Sequence, residues 1–115
     1  MKDALRTAYA AELALAATAA SAGSVEQAFH YLERAHILSQ CHTAQHVHVH
    51  WLMLKLGASA GIWREVVGQA SRIVAAAIFS RIRVPVGNTG RANVSAIKPM
   101  PIPEDLRSVL DSSRA

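Results

Sequence analysis

The sequence predicts an all-α protein of four antiparallel helices in two hairpins, completed by an extended C-terminal arm and a short terminal helix. Alanine is abundant and only 5% of the residues are aromatic, which favours helices because alanine is the best helix former and a poor strand residue. Apolar residues recur three and four positions apart, as on one face of a helix. At 115 residues, the chain is long enough for one domain with a single core.

The bounds of the helices follow from this periodicity and from stop signals. The predicted helices span residues 3–22, 25–39, 43–56 and about 62–81, and the terminal helix spans 104–112. Gly23 and Gly57 are predicted to end the first and third helices, because glycine disfavours a helix interior. Ser24 is the predicted N-cap of the second helix, and Gln27 completes a capping box with it.

Residues 46–51 alternate between polar and apolar side chains, which is also typical of a strand. The flanking sequences T-A-Q and L-M-L-K-L are helix-like and give the whole segment helical length, so we predict a helix. The fourth helix is broadly apolar, and its polar side is formed by four residues: Arg64, Glu65, Gln69 and Arg72. On the second helix, Arg34 is predicted to face solvent, opposite an apolar face that includes His36.

Residues 84–103 contain all four prolines and cannot continue a helix. We expect them to form the extended arm, which packs its valine, isoleucine and methionine side chains onto the helices. The predicted organisation is a helical domain at 1–83, with the arm and terminal helix at 84–115 packed on the same domain. Glu104 and Asp105 begin the terminal helix, where the helix dipole favours negative charge.

Two resemblances support helical hairpins. The pattern G-x-V-x-x-A-x-x-x-L-x-x-A, beginning at Gly23, resembles the second half of a tetratricopeptide repeat, and a looser copy begins at Gly61. In addition, L-E-R-A-H-I-L-S-Q at 32–40, H-W-L-M-L-K-L-G at 50–57 and P-V-G-N-T-G-R-A-N-V-S-A-I-K-P-M-P-I-P at 85–103 resemble a small bacterial family of unknown function. This second resemblance covers most of the chain and implies no particular activity.

Residues 33–50 hold five of the six histidines and the only cysteine. Glu33 and His36 are three residues apart, and His42, His46 and His50 are four apart, so the members of each set share one face of a helix. A Glu-x-x-His pair that projects into a helical bundle is how carboxylate-bridged metal sites are built. This stretch therefore predicts a transition-metal site.

The register of the helices completes the predicted site. If the first three helices fold back on one another through their short connections, His36 faces His46, Glu33 faces His50, and Glu12 faces Glu33. Glu12 lies on an apolar face, where an isolated carboxylate is costly unless it is paired or binds a cation. Two carboxylates and three imidazoles suit Fe, Mn or Zn. The predicted metal ligands are Glu12, Glu33, His36, His46 and His50.

For other residues near this site, both a metal-binding and a structural interpretation are open. Cys41 and His42 lie at the turn between the second and third helices, where Cys41 would add a soft thiolate suited to Zn or Cu(I) or would simply be buried. His30 and His48 are expected to face solvent. Any single histidine on an apolar face is also explained as a core residue that is hydrogen-bonded to a carbonyl.

The alternative function is a non-catalytic helical adaptor or a homo-oligomeric interaction module, whose histidines are structural. Trp51, Trp63 and the arm would then make the contacts. The segment 87–91 contains two glycines and Arg91, a composition that suits an anion-binding loop or a plain turn. The chain offers no Ser/His/Asp or Cys/His arrangement that can be argued from spacing, so it is not assigned as an enzyme or a non-enzyme.

Composition limits the partners and the location. One cysteine excludes an internal disulfide framework and fits the reducing cytoplasm. The longest apolar run, at 73–79, is far below the ~20 residues of a membrane span, so we expect no membrane partner. The formal charge of +4 is spread along the chain without interleaved aromatic residues, so nucleic-acid binding is not expected. The expected partners are a metal ion and a second copy of the chain.

Overall fold

The computed structural model describes residues 1–79, 88–92 and 99–114, with the side chains of 1–75, 88–92 and 99–113. Within these ranges the chain forms helices and no strand, which confirms the all-α prediction, including a helix over the alternating histidine segment. The helices are α1 (Asp3–Ser21), α2 (Val25–Ser39), α3 (Thr43–Ala60), α4 (Trp63–Phe79) and α5 (Glu104–Arg114).

The end of α3 differs from the prediction. The helix continues through Gly57 and ends at Gly61, whose φ of +73° lies in the left-handed region that glycine adopts at low cost. Gly57 has a packing role instead, because a Cβ added there would lie 2.8 Å from the Cβ of Glu65 on α4. A glycine in this position therefore allows α3 and α4 to approach closely.

The capping box predicted at the start of α2 is wrong. The side chain of Ser24 makes no capping hydrogen bond. The turn between α1 and α2 is held by its backbone, since the amide of Ser24 donates to the carbonyl of Ala19 at 2.9 Å. Gly23 makes this turn possible with a φ of +78°.

The main core lies between the first three helices. It includes Phe29 and Leu32 on α2 and Val49 and Met53 on α3, all at most 3% exposed. Burying such side chains stabilises the fold by about 1.5–3 kcal/mol each. α3 also packs against α4. None of the helices in the described ranges is long and apolar enough to cross a membrane.

A second buried cluster attaches α5 to α1 and α2. Leu106 on α5 packs with Leu5, Ile37 and Leu38. In the part of the predicted arm that is described, residues 88–92 lie against α2 and α4, whereas 84–87 and 93–98 fall outside the described residues, as do 80 and 81 at the predicted end of the fourth helix. The division into domains at 83/84 stays a prediction.

Arg34 connects the same three helices, so its predicted position in solvent is wrong. Its side chain is 20% exposed; its Nε donates to Glu12 Oε1 at 2.9 Å, and its terminal nitrogens bond the carboxylate of Asp105. The hydrogen bond to Asp105 raises the pKa of Arg34 and lowers that of Asp105. The guanidinium thus joins carboxylates from α1 and α5.

Candidate metal centre

Three histidine rings converge where α2 meets α3. His36 lies in the last turn of α2, and His46 and His50 lie one turn apart on the same face of α3. The Nε2 atom of His46 is 3.0 Å from that of His36 and 3.2 Å from that of His50. The prediction that His36 faces His46 is therefore confirmed. All three side chains are buried, with at most 6% of their surface exposed.

This group is compact enough to hold one ion. One ligand atom from each histidine can be chosen so that all of them lie within 4.8 Å of one another. Among the described residues, His36, His46 and His50 make up the whole group of nearby metal-ligand side chains. Their arrangement can supply three imidazole nitrogens to a single ion.

The other ring nitrogens of two histidines have fixed partners. His36 Nδ1 is 2.7 Å from the carbonyl oxygen of Asn88, and His50 Nδ1 is 2.6 Å from the side-chain oxygen of Gln69. Both partners are acceptors, so both Nδ1 atoms carry the proton and donate it. Each Nε2 atom is then a bare lone pair, which is the form that binds a metal.

The orientation of Gln69 is itself fixed by two further hydrogen bonds. Its amide nitrogen donates to Glu65 Oε1 at 3.0 Å and to the carbonyl of Gly90 at 2.9 Å. With the nitrogen held by two acceptors, only the oxygen remains to face His50. Gln69 and Glu65 are 0% exposed, so this chain of hydrogen bonds is shielded from water.

Burial keeps the three imidazoles neutral. Desolvation is the main cause that lowers the pKa of each, and it is reinforced at His36 by the nearby His50 and His46 and opposed at His50 by the hydrogen bond to Gln69. For His46, burial and the neighbouring His50 lower the pKa to about 4. Neutral imidazole is the protonation state that coordinates metals.

Glu65 and Arg91 form a buried ion pair beside this group. Arg91 Nε donates to Glu65 Oε2 at 2.7 Å, and the amide of Ala92 donates to Oε1 at 3.3 Å. Burial acts to raise the pKa of Glu65, but the hydrogen bonds from Gln69 and Arg91 outweigh it, and the pKa is lowered. The carboxylate is therefore charged and fully engaged near neutral pH.

The segment around Gly90 is a turn packed on the histidines. Gly90 has a φ of +80°, and its amide donates to the side-chain oxygen of Asn88 at 2.9 Å. Arg91, which sequence analysis considered as an anion ligand, directs its guanidinium to Glu65 and lies 4.0 Å from the centroid of the Phe29 ring. The turn interpretation of this segment fits these contacts.

The structure places the two predicted carboxylate ligands outside the histidine group. Glu12 is buried, as expected, but its Oε1 accepts from Arg34. Glu33 is half-buried and lies 3.6 Å from Arg91; burial raises its pKa more than Arg91 lowers it. Both carboxylates face arginines, and their role as metal ligands stays a prediction.

The remaining candidates lie at the periphery. Cys41 is exposed and His42 is partly buried at the turn between α2 and α3, and neither belongs to the histidine group. His30 and His48 are exposed, as sequence analysis predicted. These two positions supply matched histidine controls for experiments.

Sequence analysis missed the residues that orient the histidine rings. Glu65 and Gln69 were assigned to the polar side of the fourth helix, yet both are buried. A signal was present, because these residues are four apart and share a helix face with the apolar Ile62, Val66 and Ile73. Asn88 contacts His36 through its backbone carbonyl, so its side-chain type gives no signal for that contact.

We expect Gly90→Ala to destabilise the protein and to disturb the histidines. A Cβ at this position would lie 2.6 Å from Cδ2 and 2.7 Å from Nε2 of His36. Positive φ costs a non-glycine residue about 1–2 kcal/mol, and the clash adds about 1–3 kcal/mol. Chemical denaturation of the variant measures the sum of these two costs as a loss in the free energy of unfolding.

Gly61→Ala is the matched control, because Gly61 also has a positive φ but has nothing within 4 Å of the added Cβ. It should show the backbone cost alone and leave the NMR signals of His36 unchanged. Equal losses of stability in the two variants would contradict the close contact between Gly90 and the His36 ring.

The fold and this site define a class: a helical protein with a buried three-histidine group that is a candidate transition-metal centre. The chain belongs to the family DUF3703, described as "Protein of unknown function", whose profile matches residues 3–110. This agrees with the resemblance seen in the sequence motifs. No curated protein and no solved structure gives a match.

Proposed function

We propose that this protein binds a single transition-metal ion through the Nε2 atoms of His36, His46 and His50. The observation that carries the proposal is the convergence of these three atoms at 3.0 and 3.2 Å. A cation placed among the three Nε2 atoms would be attracted to the lone pair that each neutral imidazole can present to it.

The spacing of the nitrogens suits a small ion. Zn–N distances of about 2.0–2.1 Å in a tetrahedral site imply about 3.3 Å between ligand nitrogens. The separations of 3.0 and 3.2 Å are close to this value. Small movements of the rings would be enough to admit the ion.

The donor set narrows the choice among the metals expected from the sequence. Imidazole suits Zn and Fe, whereas Mn prefers carboxylate and water oxygens. Since Glu12 and Glu33 contact arginines, we propose three nitrogen ligands without a carboxylate, and Zn²⁺ as the first candidate. Three protein ligands leave the fourth position of a tetrahedral ion to water or to another small ligand.

The test is metal binding by protein that is made without a histidine tag, stripped with a chelator and then supplied with Zn²⁺, Fe²⁺ or Mn²⁺. We expect one equivalent of Zn²⁺ by elemental analysis, bound more tightly than Fe²⁺ or Mn²⁺. Metal that binds only the folded state stabilises it by about 2.7 kcal/mol at a hundredfold excess over the dissociation constant. Chelation should therefore lower the melting temperature reversibly.

His36→Ala and His50→Ala should each lose stoichiometric metal. His48→Ala is the control, since His48 lies on the same helix as His50 but is exposed; it should bind one equivalent. The proposed site would be refuted by a wild-type protein that takes up no metal, or by equal loss in all three variants.

The second candidate is the interaction module, and one observation favours it. Trp63, Val67 and Val74 on α4 are 75%, 68% and 60% exposed. Together with Ala70 they repeat at alternating intervals of four and three, the spacing of a helix that packs against another helix. In this reading the partner is a second copy of the chain, and the histidine variants leave every property other than stability unchanged.

A further inference from the structure

The hydrogen bonds around the three histidines determine where protons lie in the metal-free site. His36 and His50 each carry their proton on Nδ1, because the carbonyl of Asn88 and the side-chain oxygen of Gln69 can only accept. Both rings are at most 4% exposed, and burial disfavours a charged imidazole, so each ring carries this one proton. Their Nε2 atoms therefore have no hydrogen to offer.

His46 must supply the missing hydrogen. Its Nε2 lies 3.0 Å and 3.2 Å from the two bare Nε2 atoms, which are hydrogen-bond distances. If His46 carried its proton on Nδ1, three lone pairs would face one another among side chains that are at most 6% exposed. With the proton on Nε2, His46 donates to one or both neighbours.

The opposite side of the His46 ring is different from that of the other two. His46 Nδ1 is buried and has no hydrogen-bond partner in the part of the chain that is described. At Nδ1, therefore, no described partner selects a tautomer for His46, whereas a partner at Nδ1 holds His36 and His50 each in one tautomer. Of the three rings, His46 is thus the one whose tautomer is free to change.

We propose that His46 carries its proton on Nε2 in the metal-free protein and on Nδ1 when the metal is bound, with Gln69 as the positioning residue that keeps the Nε2 of His50 bare. The inference rests on the proposed function. Metal uptake is then an exchange at one atom, in which the ion takes the place of the His46 hydrogen.

The exchange balances without oxidation or reduction. The Nε2 proton of His46 leaves to water, a proton from water binds Nδ1, and the entering ion gives up water molecules for three nitrogen ligands. His46 stays neutral throughout, so its ring neither gains nor loses charge. The ion becomes bonded to three Nε2 lone pairs, two of which were already in place.

Gln69 is essential to this arrangement because it makes the His50 lone pair available in advance. Its own orientation comes from Glu65 and Gly90. Replacement by leucine removes the acceptor and frees His50 to place its proton on Nε2, where the proton competes with the metal. Loss of such a supporting hydrogen bond typically weakens metal affinity 10–100-fold.

The experiment is a long-range ¹H–¹⁵N NMR correlation, which reports the tautomer of each histidine. In chelator-treated wild-type protein we expect Nδ1–H at His36 and His50 and Nε2–H at His46. With one equivalent of Zn²⁺ all three should be Nδ1–H. In Gln69→Leu, His50 should lose its single tautomer and the Kd for Zn²⁺ should rise 10–100-fold, while Gln27→Leu, at an exposed position, should change neither.

Failures of the two proposals are distinguishable. A protein that binds Zn²⁺ but shows Nδ1–H at His46 without metal overturns the exchange and leaves the proposed function intact. An unchanged His50 tautomer in Gln69→Leu overturns the positioning role. A protein with the expected metal-free tautomers that takes up none of Zn²⁺, Fe²⁺ or Mn²⁺ overturns the proposed function, and the exchange with it.

Discussion

Metal-free protein should unfold in mild acid, losing most of its stability between pH 6.5 and pH 4. Unfolded histidines have a pKa of about 6.5, whereas burial lowers the pKa of His36 and His50 and takes that of His46 to about 4. Below pH 6.5 the unfolded chain therefore binds more protons than the folded one, and the free energy of unfolding falls with pH. The lowered pKa of His46 alone should reduce the free energy of unfolding by about 3 kcal/mol across this window.

The three histidines together should reduce the free energy of unfolding by up to about 4 kcal/mol per pH unit. This is large beside a typical total of about 5–15 kcal/mol. Denaturant unfolding at pH 7.5, 6 and 5, in the presence of a chelator, measures the effect. His46→Gln should make the dependence shallower, whereas His48→Gln, at an exposed position, should not. Stability that is constant from pH 7.5 to 5 would contradict neutral, buried histidines.

Arg91→Met should destabilise the fold by about 3–5 kcal/mol. Arg91 is the cation that pairs with Glu65, whose surface is 0% exposed, at 2.7 Å. Removing it takes away the ion-pair partner that directly contacts the buried carboxylate, and the guanidinium contact with the Phe29 ring is also lost. Methionine retains much of the side-chain volume, so the charge is the main change. Urea unfolding at pH 7.5 gives the value.

A double-mutant cycle separates charge from packing. Glu65→Gln with Arg91→Met removes both charges, so the double variant should be more stable than Arg91→Met alone. Arg107→Met is the control for an exposed ion pair: Arg107 lies 3.9 Å from Glu104, and its loss should cost less than about 1 kcal/mol. If Arg91→Met and Arg107→Met have the same small effect, the buried pair does not hold the site together.

The group of three histidines could be predicted from the sequence because their positions follow from helical spacing. His46 and His50 are four apart on one helix, and the short connection to α2 sets His36 opposite His46. The helix over this segment could also be predicted, since its flanks outweigh the alternation. These features depend on the backbone path, which local patterns largely determine.

The carboxylates were harder to predict because the backbone path does not decide where a long side chain ends. Glu12 and Glu33 lie on the expected helices, but arginines compete for them: Arg34 for Glu12 and Arg91 for Glu33. Arg91 is far away in sequence, so nothing local indicates the pairing. The same reason explains Gln69, whose partners lie on other segments.

The three histidines are close together in sequence, whereas the residues that hydrogen-bond to them are distant, and this affects the order in which the fold assembles. His36, His46 and His50 all belong to α2, α3 and their short connection, so bringing them together closes only a small loop and costs little chain entropy. Gln69, Asn88 and Gly90 come from segments that must be recruited later, and such long-range contacts form more slowly. The three imidazoles should therefore meet before their supports arrive. If the proposed ion is present while the chain folds, it would bind the three histidines once α2 and α3 have met. It would then hold these two helices together before α4 and the turn at Gly90 pack on them.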